Sequence, residues 1–115
     1  MKVKIKIEPG ICNFKTTVIA ETEDHQQITF KFGSACETIQ AFAKEVAEIS
    51  PVNAIQTLGP DENPILAIGR GLLQAKGCCE ACIVPAATAK VMQVAANLAL
   101  PQDVSMTITK EWPPP

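Results

Sequence analysis

Lys2-Val3-Lys4-Ile5-Lys6-Ile7-Glu8-Pro9-Gly10 decides the fold. Lysine alternates with a β-branched aliphatic residue up to position 7, so an extended backbone sends one set of side chains to water and the other to an apolar interior. That is a strand of a sheet buried on one face, and Glu8-Pro9-Gly10 ends it in a turn. Working outward, Cys12, Phe14, Thr16, Val18 and Ala20 share one face of a second strand, if that strand starts as early as residue 12. The polar residues 21–26 form a hairpin connection to a third strand with Ile28, Phe30 and Phe32 on one face.

The period then changes. Ser34-Ala35-Cys36-Glu37 has the form of a capping box, in which Ser34 caps a backbone N–H and Glu37 reaches back to the N–H of Ser34. Ile39, Phe42, Ala43, Val46 and Ile49 continue as a helical stripe, and Ser50-Pro51 stops it. After a turn-rich stretch around Gly59-Pro60-Asp61, Asn63-Pro64 reads as an N-cap followed by proline at the first helical position, opening a second helix to about residue 75. Gly69 and Gly71 weaken that helix by about 1 kcal/mol each relative to alanine. Pro85 opens a third helix with Thr88, Val91, Val94, Ala95 and Leu98 on one side, closed by Leu100-Pro101. Val104, Met106 and Ile108 alternate with Ser105, Thr107 and Thr109 as a last strand.

The expected fold is therefore α+β in the order β-β-β-α-α-α-β, a four-stranded, mostly antiparallel sheet covered on one face by about three helices. Residues 1–110 read as one domain, and 111–115, with Trp112 ahead of three prolines, as a frayed tail.

At 115 residues the chain buries an adequate core without staples. Its formal net charge is −2 and its lysines are scattered rather than clustered, which disfavours a nucleic-acid partner. A secretory h-region and a membrane-length apolar run are both missing from the pattern, so the expected location is the cytoplasm, without a membrane partner. Thiols stay reduced there, and five cysteines cannot all pair, so the cysteines point to metal or redox chemistry rather than to disulfides.

Cys78, Cys79 and Cys82 crowd the run before the third helix. Cys79 and Cys82 have the Cys-x-x-Cys spacing that lets two thiolates converge on one ion when the backbone turns between them. A closed zinc site or an iron–sulfur cluster wants four ligands, and Cys12 and Cys36 complete the set. Cys36 and Cys82 fall at helix starts, where the positive end of the macrodipole favours a thiolate, so both are expected to ionise readily. If the first two strands pair antiparallel, the start of the second and the end of the third lie at one end of the sheet, making Cys12 and Cys36 neighbours. Cys78 is surplus to such a site.

The frame Pro9-Gly10-Ile11-Cys12-Asn13-Phe14, the helix-opening Cys36, and Cys79-Glu80-Ala81-Cys82-Ile83-Val84-Pro85 with residues 95–104 resemble a family of short uncharacterised cysteine-containing proteins from anaerobic bacteria and archaea. The family pattern reads Pro-Gly-x-Cys-Gly-Phe early and His-x-x-Cys-Pro-Val-Pro late. The resemblance implies a histidine where Cys79 stands, an exchange that keeps ligand capacity, and it meets departures at Asn13 and Ile83. It implies no activity.

Three readings stay open. The first is a metal-binding protein holding zinc or an iron–sulfur cluster through Cys12, Cys36, Cys79 and Cys82. The second is a thiol redox or sulfur-handling enzyme using Cys79 and Cys82, with a redox partner protein. The third is an interaction domain or homo-oligomer with inert cysteines, since free cysteine also packs as a small hydrophobe. His25, the sole histidine, sits in a polar turn beside Asp24 and reads as a surface residue rather than a base or ligand. Asp61, Glu62 and the acids of residues 21–24 read as solvated charge, and Gly69-Arg70-Gly71 is too short to cradle phosphate.

Overall fold

The N-terminal alternation forms β1 (Lys2–Ile7), which pairs antiparallel with β2 (Thr16–Glu21), and β2 pairs antiparallel with β3 (Gln27–Ser34). The computed structural model of the chain describes residues 1–10, 12–75 and 81–112. The register sets Val3, Ile5 and Ile7 beside Ala20, Val18 and Thr16, and these beside Phe30, Phe32 and Ser34. All nine side chains therefore share one face. Lys2, Lys4, Lys6 and Lys31 lie exposed on the other, where Lys31 pairs with Glu21 at 3.2 Å.

The fourth strand is β4 (Val52–Asn53), antiparallel to β3, and the sheet order is β1-β2-β3-β4. The α+β class and the four-stranded antiparallel sheet are as expected, but the order is β-β-β-α-β-α-α, with the last strand drawn from residues 52–53 instead of 104–109. Ser50-Pro51 ends the first helix and returns the chain along β3, where the Ala54 N–H donates to the Gln26 carbonyl at 2.9 Å. Two residues are too few to show an alternation in sequence.

Helix α1 (Glu37–Ile49) packs on β3, α3 (Val84–Ala95) packs on β1 and β2, and α2 (Pro64–Gln74) packs against both helices. A 3-10 turn, Gln56–Leu58, precedes α2. The α2 start is as read: the Asn63 carboxamide oxygen accepts from the N–H groups of Ile65 (2.9 Å) and Leu66 (3.4 Å). At α1 the expected capping box does not form. Ser34 is held in β3 by its pairing with Thr16, so the N-cap is Cys36, two residues later, and it makes no side-chain cap bond. Ser34 still serves the helix, because its hydroxyl accepts from the Cys36 N–H at 3.2 Å and its carbonyl accepts from Gln40 Nε2 at 2.9 Å.

Helix α3 ends at Ala95, short of the expected Leu100, because Asn97 takes a left-handed backbone (φ 62°). The Leu98 N–H then reaches the Gln93 carbonyl at 2.8 Å and the Asn97 N–H reaches Val94 at 3.1 Å, a Schellman closure that satisfies two orphan carbonyls. Leu98 is thereby left exposed, whereas Met92 is fully buried in the core.

The core is Val18, Ile28, Phe42, Val46, Ile65 and Met92, all fully buried. Phe42 meets Phe32 edge-on at 5.6 Å between ring centroids, tying α1 to β3. Gly69 permits α2 to touch α3: a Cβ there would lie 2.5 Å from Cγ and 2.6 Å from Cβ of Pro85. Gly71, two residues on, has nothing within 4 Å of the equivalent position.

The same substitution at these two glycines is expected to act with opposite signs. Gly69→Ala should destabilise by about 1–3 kcal/mol through overpacking against Pro85, whereas Gly71→Ala should stabilise by up to about 1 kcal/mol through helix propensity. Urea unfolding of the two variants checks both signs.

Candidate functional site

One end of the sheet collects the cysteines. Ile7, Thr16 and Ser34 sit side by side across β1, β2 and β3, so the β1–β2 turn and the β3–α1 junction emerge next to each other. The Thr16 hydroxyl donates to Ser34 Oγ at 3.0 Å, and Ser34 Oγ in turn accepts from the Cys36 N–H. This chain of bonds fixes the backbone of Cys36 against β2. Sequence reading assigned Ser34 to the helix and missed its role in the strand; a hydroxyl two positions before the cysteine was the available signal.

Cys12 lies in the turn and not in β2, which starts at Thr16. Gly10 (φ 93°) and Asn13 (φ 58°) both take positive φ, and the Asn13 N–H closes onto the Gly10 carbonyl at 3.0 Å. Asparagine is among the few non-glycine residues that adopt this conformation readily. Asn13 therefore holds a left-handed conformation that glycine would also adopt without strain.

Cys82 lies two residues ahead of Val84, the first residue of α3. Cys12, Cys36 and Cys82 line a single pocket of ≈ 250 Å³, together with Phe14, Ile39 and Leu73. Cys12 is exposed, while Cys36 and Cys82 are half-buried, and all three are free thiols. The expected neighbourhood of Cys12 and Cys36 is thus present, and Cys82 joins it. Cys78 and Cys79 lie outside the described residues. Among the described residues, no three histidine, cysteine or acidic side chains already converge closely enough to hold an ion.

Sequence position at a helix start led to the expectation that Cys82 ionises readily; the structure reverses this. Burial, above all, pushes the Cys82 thiol up from its ordinary value. The Val84 N–H at the start of α3 pulls the other way, and Cys12 and Cys36 add smaller upward contributions. In an apolar pocket with two further thiols, desolvation outweighs the helix terminus.

The remaining candidates hold the fold together. His25 Nδ1 lies 3.0 Å from the Ala95 carbonyl, so as a donor it ties the β2–β3 connection to the last turn of α3. The Asp24 carboxylate accepts from the N–H groups of Gln26 and Gln27, both at 2.9 Å, which lowers its pKa below the ordinary carboxylate value. Glu62 pairs with Arg70 at the surface. No helix of the described residues is long and apolar enough to cross a membrane.

A family model described as a family of unknown function, DUF6951, matches residues 3–108. The chain belongs to this family. No curated protein and no solved structure matches the chain. In this DUF6951 member the match spans the thiol pocket and the residues that build it, from the β1–β2 turn to α3.

Two outcomes are expected. In metal-stripped protein, site-resolved alkylation of Cys82 should rise only above the free-thiol value of about 8.5. Because the folded state keeps this proton to higher pH than the unfolded chain, the thiol's contribution to stability is lost as pH rises past that value. A Cys82 that reacts fully at neutral pH would contradict the dominance of burial. Asn13→Ala should destabilise by about 1 kcal/mol by forcing a Cβ without a polar group into the left-handed region, and Asn13→Gly should be close to neutral; thermal or urea unfolding separates them.

Proposed function

We propose that the protein binds a thiophilic metal, as a zinc ion or an iron–sulfur cluster, through Cys12, Cys36, Cys79 and Cys82. The observation that carries the reading is that three thiols from three separate segments, the β1–β2 turn, the N-cap of α1 and the approach to α3, line one pocket. Cys79 is three positions from Cys82, a span of at most about 11 Å of chain, so it is within reach of the same centre. Four thiolates suit a closed tetrahedral zinc site and both common iron–sulfur clusters.

The surroundings suit that chemistry. A bound cation deprotonates its thiol ligands outright and so removes the reason for the high Cys82 value. The N-termini of α1 and α3 add positive potential beside Cys36 and Cys82. The buried Ile39 and Leu73 supply an apolar wall that limits water at the centre. A site with four protein ligands keeps no open position for substrate, so the role proposed is structural or electron-carrying rather than hydrolytic. The competing reading, a thiol redox enzyme, rests on an activated Cys79, the first thiol of the pair, and Cys79 lies outside the described residues.

Anaerobic purification with elemental analysis tests the reading. Visible absorbance with iron and acid-labile sulfide identifies a cluster, and stoichiometric zinc in colourless protein identifies zinc. Cys36→Ser and Cys82→Ser should each drop bound metal well below stoichiometric, while His25→Ala should retain it. Fully folded, metal-free protein that takes up neither zinc nor iron and sulfide on reconstitution overturns the proposal.

A further inference from the structure

The thiol pocket differs between its mouth and its floor. Ile39, Leu73 and Val84 are buried in its floor, whereas Phe14 and Ile83 are 46% and 42% exposed at its mouth. The three thiols divide in the same way. Cys12 is exposed, while Cys36 and Cys82 are half-buried and pack against the hydrophobic core.

Backbone restraint follows the same order. Cys36 is held on both sides, because its N–H donates to Ser34 Oγ at 3.2 Å and its carbonyl accepts from the Gln40 N–H at 2.9 Å. Cys82 directly precedes Ile83, the N-cap of α3, whose carbonyl accepts from the Ala87 N–H at 3.0 Å. The β1–β2 turn that carries Cys12 is closed by one backbone hydrogen bond among the described residues, from the Asn13 N–H to the Gly10 carbonyl. A segment with few buried contacts and few hydrogen bonds opens locally while the rest of the molecule stays folded. Of the three thiols, Cys12 is therefore the easiest to withdraw from the pocket.

A centre closed by four protein ligands leaves no free coordination position, so metal enters or leaves only when one ligand gives way to another. We propose that Cys12 is that ligand: the metal is exchanged at the Cys12 mouth with an external donor that carries it on a thiolate, and Cys36 and Cys82 are the retaining ligands. No charged side chain is among the described residues lining the pocket, so the mouth offers a hydrated cation no carboxylate, whereas a metal already held by soft sulfur suits it. Loading moves no electrons. The bond from donor sulfur to metal breaks as the bond from Cys12 Sγ forms, and the proton of the Cys12 thiol passes to the departing donor thiolate. This inference rests on the metal-binding reading above.

Chemical rescue is the test. The full chain and its Cys12→Ala, Cys36→Ala and Cys82→Ala variants are loaded with zinc, or anaerobically with iron and sulfide, and desalted in mercaptoethanol or in a phosphine reductant that has no thiol. Elemental analysis reads bound metal, and circular dichroism reads the fold. Cys12→Ala should lose metal in the phosphine and regain a full complement in mercaptoethanol, whose small thiolate reaches the vacated position from solvent. Cys36→Ala and Cys82→Ala should stay well below stoichiometric in both. In the loaded unmutated chain, Cys12 should be alkylated before Cys36 and Cys82, and mercaptoethanol should speed metal transfer to a chromophoric chelator in proportion to its concentration. An unmutated chain that takes up no metal overturns the metal-binding reading itself. With that chain loaded, the present proposal alone is overturned by a Cys12→Ala variant that keeps its metal without thiol or is not restored by it, or by equal rescue of Cys36→Ala or Cys82→Ala. If Cys12→Ala does not fold, alkylation of the loaded unmutated chain decides, and Cys36 or Cys82 reacting ahead of Cys12 overturns the proposal.

Discussion

The side-by-side pairing of Ile7, Thr16 and Ser34 is the constraint on which the rest of the molecule depends. A slip of one residue in either ladder would turn the inward side chains of a strand to water and its outward ones, the lysines among them, to the core. The same pairing brings the β1–β2 turn and the β3–α1 junction together at one end of the sheet. Thr16 is buried there, and its hydroxyl satisfies Ser34, which in turn holds the N-cap of α1. The helix that covers β3 and the backbone of Cys36 thus inherit their position from the sheet register.

The pocket so formed sets two physical effects against each other. Helix N-termini favour thiolates, and an apolar enclosure disfavours them. At Cys82 the enclosure wins in the metal-free chain. A nucleophilic thiol needs the opposite balance, while a metal ligand does not, because the ion supplies the positive charge that the enclosure lacks. The apolar wall that raises the pKa of a free thiol is the same wall that shields a bound centre from water.

Much of this was legible in the chain. The strict alternation of residues 2–7 and the Asn63-Pro64 cap are local signals, and each produced the element it announced. The antiparallel placement of the first three strands was enough to put Cys12 near Cys36. Other elements depended on what surrounds them. The capping box at Ser34 lost to strand pairing with Thr16, and the third helix stopped where Asn97 turned left-handed. β4 is two residues that become a strand only because the edge of β3 is open beside them. Residues 104–109 have the pattern of a strand and form none, because no strand of the sheet pairs with them.

By itself the sequence determined which faces are apolar, where most elements begin, and which residue types are available for chemistry, because side-chain periodicity and cap chemistry act within a few residues of chain. Only the tertiary structure decided the fourth strand, the close approach of Gly69 to Pro85, the joining of Cys82 to Cys12 and Cys36, and the direction in which the Cys82 thiol shifts. Each of these is a relation between distant segments. Its free energy comes from desolvation and packing at a contact that exists only once the sheet register has brought those segments together.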